Sequence, residues 1–208
     1  MSVKTTFKEH VRQSLIDNAR KYQECYIDYQ YLLCSEAFKK NPYYIINAHM
    51  DNYRHLTGVS SGLSALLFFE KCLDGTIKED DFDFDKPGHS PKVVKGTVRR
   101  KLSVMEDIFG IFSLSTMVEE DFKKNRIICS FAAGHSNCTV GFNGNIHAKP
   151  MTLLKGNELD MNKAKSIELI LRKKTGAGKF DELFAGSPDT LRKYSDAVWH
   201  YCSVDLLG

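Results

Sequence analysis

The chain has 208 residues, 42% of them hydrophobic and 26% charged, with a formal net charge of +3. That is ordinary globular composition with enough length to bury a real core. No apolar run approaches the ~20 residues that cross a bilayer, and a charge this mild does not by itself specify a nucleic-acid binder.

The charged segment from Met1 to Lys21 lacks the apolar stretch of a secretory signal, so a cytoplasmic protein with no membrane partner is expected. Phe7, Val11, Leu15, Ala19, Tyr22 and Cys25 recur at helical spacing, predicting an amphipathic helix over 3–25. Tyr29 to Ser35 and Tyr43 to His49 read as two strands joined by Glu36 to Asn41. A short helical turn follows Asp51-Asn52, carrying Arg54, His55 and Thr57 before Gly58. It sets an imidazole, a guanidinium and a hydroxyl just after a strand. Histidine titrates nearest neutrality, which suits proton transfer; the plainer reading makes His55 a satisfied core histidine.

Leu63 to Leu73 forms an apolar helix closed by Asp74-Gly75. The acidic segment Lys78 to Asp85 leads into a polar loop through Ser90, the segment expected to move most. Pro91 to Phe112 reads as a second long helix with Val94, Val98, Leu102, Met105, Phe109 and Phe112 on one face. Lys86 to Lys101 contains no acid. At 100° per residue, Lys95 and Lys101 border the apolar stripe, whereas Arg99 and Arg100 face away. A border lysine has a packed stem and a held ammonium.

From Arg126 the pattern changes to short strands: Ile127 to Ala133, Cys138 to Phe142 after the His135-Ser136 turn, and Ile146 to Leu154. Asn143-Gly144 is a hairpin signal, and Pro150 requires an edge or a bulge. Ser166 to Arg172 alternates as a strand. Lys179 to Ala185 and 188–201 read as helical, with Ser187 as N-cap. Together these predict one α+β domain over 1–208, with N-terminal helices packed on an antiparallel sheet, a core of about 29–184, and a C-terminal helix.

Six cysteines are scattered without metal-ligand spacing, so no metal and no cofactor is expected. There is no phosphate-binding glycine loop and no paired-carboxylate signature. The inventory of His, Lys, Arg, Ser and Thr near strand ends suits metal-free cleavage of RNA. In that chemistry His55 serves as base or acid, and Lys101 or Arg54 holds the phosphate. Thr57, Lys95, His135, and Lys149 with Thr152 are further candidates; each is also an ordinary turn or surface residue on the plainer reading.

The ordered motifs Tyr53-Arg54-His55-Leu56-Thr57-Gly58, Phe68-Phe69, Gly75-Thr76-Ile77, Lys101-Leu102, Pro150-Met151-Thr152-Leu153-Leu154-Lys155-Gly156-Asn157 and Lys179-Phe180-Asp181-Glu182-Leu183 carry a resemblance. The chain resembles the phage-borne nuclease domains grouped with barnase, EndoU, the colicin tRNases and RelE, most closely the fourth subfamily of that PBECR group. The resemblance spans about Tyr29 to Phe184. It implies a BECR-like core with a four-stranded antiparallel sheet and a metal-independent endoribonuclease or toxin of a phage or mobile element. It also implies His55, Lys101 and Thr152 as catalytic residues, RNA as partner and an antitoxin or other protein as a further one. The N-terminal helix and the Asp80 to Asp85 segment depart from a minimal core; the acids either mimic phosphate over the site or are solvated. The competing readings are a non-enzymatic RNA- or protein-binding module that keeps the fold, and a nucleotide pocket lined by tyrosines.

Overall fold

The computed structural model describes residues 5–207, so the first two positions expected of the N-terminal helix lie outside the described residues. Helix α1 (Phe7–Tyr22) starts where the Thr6 hydroxyl accepts the Glu9 N–H, one of the unpaired amides of a first turn. Val11, Leu15, Ala19 and Tyr22 are buried along one stripe. A π-turn over Gln23–Ile27 then swings Tyr26 into the core, where its hydroxyl donates to the Ile108 carbonyl.

Strands β1 (Tyr29–Cys34) and β2 (Tyr44–Ile46) pair antiparallel, as expected. Next come α2 (Asn52–Thr57), α3 (Ala65–Leu73) and α4 (Pro91–Leu102). The helix expected to run to Phe112 stops at Leu102. Arg99, Arg100 and Lys101 crowd its last turn, where cations suit the negative end of the helix dipole. The chain resumes as a 3-10 turn, Glu106–Gly110, keeping Met105 and Ile108 buried. The first part of the polar loop before α4 is anchored, whereas Asp85 to Ser90 is exposed. Phe82 and Phe84 are buried, and Ser60 and Asp83 exchange backbone hydrogen bonds.

The remaining strands are β3 (Met117–Glu120), β4 (Lys123–Lys124), β5 (Ile127–Ile128), β6 (Phe131–Gly134), β7 (Cys138–Gly144), β8 (His147–Lys155), β9 (Lys165–Ser166), β10 (Leu169–Lys174) and β11 (Glu182–Ala185). Helices α5 (Pro188–Val198), capped by Ser187, and α6 (Val204–Leu207) follow. The sheet has nine strands in the order β11-β10-β1-β2-β8-β7-β6-β3-β9, larger than the four-stranded sheet implied by the resemblance. It is also mixed rather than wholly antiparallel, because β2 and β8 run parallel. β9 continues directly into β10: the Ile167 N–H donates to Thr116 of the β3 side, and the next N–H, of Glu168, donates to Cys34 of β1. One pass of chain thus joins the two ends of the sheet.

The expected helix at Lys179 to Ala185 is overturned. Its second half is β11, drawn into the sheet by cross-strand pairing: Arg172 binds Glu182 through two hydrogen bonds and lies between the rings of Tyr29 and Phe184. Such pairs outweigh the weak helical preference of a short segment.

The main core lies between α1 to α4 and one face of the sheet, from Tyr22 and Tyr53 through Phe69 and Val98 to Phe131 and Phe142. Leu32, Ile45, Leu169 and Leu171 on the other face pack beneath α5. A third cluster gathers Phe122, Cys129, Ala132 and Leu159. The tyrosines Tyr22, Tyr26, Tyr31, Tyr43, Tyr44 and Tyr53 are buried, and Tyr22 stacks on Tyr26. They are core residues, which removes the tyrosine-lined pocket. Five of the cysteines are buried and all are free. Burial raises the thiols of Cys72, Cys129 and Cys138 to about 12, 11 and 12, which suits packing rather than nucleophilic work.

Candidate active site

Helix α2 ends at Gly58, whose φ of +80° allows its N–H to return to the Arg54 carbonyl. Glycine is needed there for a second reason. A Cβ on Gly58 would stand 2.9 Å from Cδ of Lys101, so the stem of that lysine crosses the helix end in the space a side chain would fill. The Lys101 ammonium donates to the His55 carbonyl at 2.7 Å, satisfying an acceptor that the end of a helix leaves unpaired. The HLTG turn and Lys101 therefore form one unit, built from two segments far apart in sequence.

The electrostatics follow from that packing. Burial, then repulsion by Lys86, pushes the Lys101 ammonium down to about 8. His55 exposes part of its ring, and its pKa lies below the usual 6.5. Partial burial is the main cause; Arg54, Lys101 and Lys149 add repulsion, against opposition from Asp51. The imidazole is thus neutral at pH 7, set among cations. Arg54, His55, Gly58, Val59, Ser60, Ser61 and Lys86 line a hollow of about 300 Å³. A larger hollow of about 730 Å³ lies around β3 and β4, where Lys40 pairs with Asp121, Lys124 with Glu158 and Lys163 with Asp160. Six of its charged residues are tied up in those pairs, whereas the smaller hollow holds the two cations and the imidazole unpaired by any carboxylate within its lining, which makes it the candidate site.

Strand β8 supplies Lys149 and Thr152. Phe142 faces Pro150 whereas Gly141 faces Thr152, so Met151 is the extra residue of a bulge. The bulge accommodates the proline and changes the alternation. Asn143 and Gly141 share a face of β7, so their partners Lys149 and Thr152 share a face of β8 despite an odd spacing. The Thr152 methyl packs toward Gly141 and Cys129. Both α2 and α4 lie against β8, sharing the core with Ala148 and Leu153; Thr152 alternates to the opposite face, so it is corrected as a partner of His55 and Lys101.

The other expected site residues fare differently. Arg54 is half-buried and donates to the Leu63 carbonyl at 2.7 Å, fastening the loop that walls the hollow. Thr57 is corrected: it is fully buried, and its hydroxyl donates to the Arg54 carbonyl, so it shapes the turn rather than meeting substrate. Lys95 is also displaced, standing over the Phe84 ring beside Thr6 and Phe7, across the Asp83 to Asp85 segment from His55. His135 sits in the β6–β7 turn, near Asp107 and Asn137. That turn meets Gly156 at the far end of β8 from Lys149, roughly 23 Å along the strand. Lys86 is the site residue that sequence reasoning missed; its only signal was its place at the start of the acid-free block. Among the described residues, no group of three His, Cys, Asp or Glu is placed to hold a metal ion. No helix among them is long and apolar enough to cross a membrane.

Residues 14–179 match the model of one family, described as phage-Barnase-EndoU-ColicinE5/D-RelE like nuclease4 (PBECR4). The chain belongs to this family. No curated protein and no solved structure matches it. Membership makes this a chain of a phage-associated nuclease family. The PBECR4 match contains α2, α4 and β8, and with them every residue that lines the His55 hollow.

Proposed function

We propose that this PBECR4 chain is a metal-independent endoribonuclease that cleaves by internal attack of the 2′-hydroxyl, acting as a toxin or defence effector of a phage or mobile element. His55, neutral at pH 7, takes the 2′-hydroxyl proton. The new O2′–P bond forms as the P–O5′ bond breaks, and the departing 5′-oxygen takes a proton from the Lys101 ammonium. Lys149 and Lys86 face the non-bridging oxygens as charge builds on them. Both groups are shifted downward, which leaves His55 free to accept a proton at pH 7 and makes the Lys101 ammonium a readier donor.

The observation that carries the reading is the Lys101 ammonium, pushed down to about 8 and held 2.7 Å from the carbonyl of a histidine that is itself pushed down. The test incubates purified protein with RNA, with and without EDTA, beside His55→Ala and Lys101→Ala. Cleavage that survives EDTA, ends in 2′,3′-cyclic phosphates and disappears in both variants is expected. Salt-sensitive binding without product would instead favour a non-enzymatic RNA-binding module. Full activity in both variants would refute the assignment.

A further inference from the structure

Helix α4 turns Val94 and Val98 into the core, so its opposite side carries Lys92, Gly96, Arg99 and Arg100. The three cations are exposed. Among the described residues no carboxylate forms an ion pair with any of them. Two are held in place: the Arg99 guanidinium stands 5.0 Å over the Phe7 ring, and Arg100 Nη2 donates to Thr97 Oγ1 at 3.2 Å. The acids Asp83 and Asp85 lie at the Lys95 border of the helix, beside Pro91.

Gly96 sits in the middle of this face, one turn after Lys92 and one turn before Arg99 and Arg100. Apart from proline, glycine is the least favourable residue for a helix interior, and nothing inside the protein requires it here. Its backbone is helical rather than left-handed. A Cβ on it would meet only Arg100 Nη1, at 3.8 Å, an ordinary contact with the end of a flexible side chain. A glycine that packing does not need leaves the backbone bare for close approach by something outside the chain. The face also adjoins the active site. Lys101 follows Arg100 directly, about 100° round the helix, and its ammonium is the one held on the His55 carbonyl. Gly96 lies about 7.5 Å along the axis from Lys101. Lys86, a few residues before α4, lines the same hollow as His55.

We infer that the face of α4 around Gly96 is a phosphate seat for the RNA strand beside the scissile bond. The inference rests on the ribonuclease reading and adds the route by which the strand leaves the site. The scissile phosphate lies in the His55 hollow, and the strand passes over Arg100. A flanking phosphate then settles in the space that a side chain at position 96 would fill, between Lys92 and the two guanidinium groups. Cations without carboxylate partners attract such a polyanion. Val93 is the large apolar side chain exposed on α4, and one is too little for the apolar centre of a protein interface.

The test reads the salt dependence of binding, so it does not depend on turnover. A single-stranded 2′-deoxy oligonucleotide, which internal attack cannot cleave, is titrated by fluorescence anisotropy at a series of salt concentrations. Each phosphate neutralised on a single strand contributes about 0.7 to the slope of log binding constant against log salt. Lys92→Ala/Arg100→Ala is therefore expected to make that slope shallower by about 1.4. Lys39→Ala/Lys123→Ala, which removes two charges beside β3 and β4, should leave it unchanged. Gly96→Leu keeps every charge and brings a better helix former, so affinity should fall while the melting temperature does not. An unmoved slope in Lys92→Ala/Arg100→Ala, an equal change in Lys39→Ala/Lys123→Ala, or full affinity in Gly96→Leu overturns the seat alone. Cleavage of the matching RNA is scored separately. A wild type that binds but leaves RNA intact overturns the ribonuclease reading, with the slopes still deciding the seat; one that neither binds nor cleaves overturns both.

Discussion

Gly58→Ala tests the joint between the HLTG turn and Lys101. The backbone there has φ +80°, and an L-residue in that region costs about 1–2 kcal/mol. The added Cβ would also lie 2.9 Å from Lys101 Cδ. The backbone is fixed by the Gly58 N–H bond to Arg54, so the lysine stem must move, at about 0.5–1.5 kcal/mol for an off-rotamer side chain. A total of about 2–3 kcal/mol leaves a domain of ordinary stability folded at 25 °C. The ammonium, however, leaves its place against the His55 carbonyl, and misplacement by about 1 Å can cost 100-fold in rate. Urea unfolding and single-turnover cleavage of a labelled RNA measure the two effects on one preparation. Gly58→Asn separates them, because asparagine tolerates the left-handed region but carries the same Cβ. It should recover part of the stability and none of the rate. Wild-type cleavage by Gly58→Ala, or recovery of rate together with stability in Gly58→Asn, would refute the coupling.

Cleavage requires deprotonated His55 and protonated Lys101. The rate should therefore rise through a pKa below 6.5 and fall near 8. Lys86→Ala removes a repelling charge from Lys101, so the alkaline limb should move to higher pH; an unmoved limb in a pH–kcat/KM profile would disprove the assignment. Thr57→Val should cost about 1 kcal/mol in chemical denaturation with KM unchanged, since its hydroxyl bonds only within the turn; a raised KM in a stable variant would show contact with substrate. Gly141→Ala sets a Cβ 2.5 Å from Cys129 Sγ and 2.8 Å from Thr152 Cγ2, so melting should report a loss of about 1–3 kcal/mol from overpacking. Adding Cys129→Ala should restore part of it, and failure to do so would locate the strain elsewhere.

What could be read from the sequence was local. The stripe of α1, the turn at Gly58 and the bulge at Pro150 each follow from a spacing or from one residue's backbone limits, whereas the hairpin signalled by Asn143-Gly144 turns two residues later, at Asn145 and Ile146, because both signal residues pair within β7. Position of Lys101 at the border of its helix stripe pointed correctly to a packed stem and a held ammonium. Long-range pairing could not be read. β11 owes its conformation to Arg172 across the sheet, and β3, absent from the sequence reading, is held by β6 and β9. The fates of Lys95 and Thr57 were equally hidden, since one depends on where Phe84 is buried and the other on a hydroxyl turning to its own helix.

The handover from Ser166 to Leu169 has a consequence for biosynthesis. Leu32 of β1 faces Leu171 of β10, 139 positions later (171 − 32), so β1 waits for this neighbour until Leu171 has been synthesised. Contacts so distant in sequence slow folding. Chains that stop before Leu169 lack the neighbour of β1 and leave the middle of the sheet open.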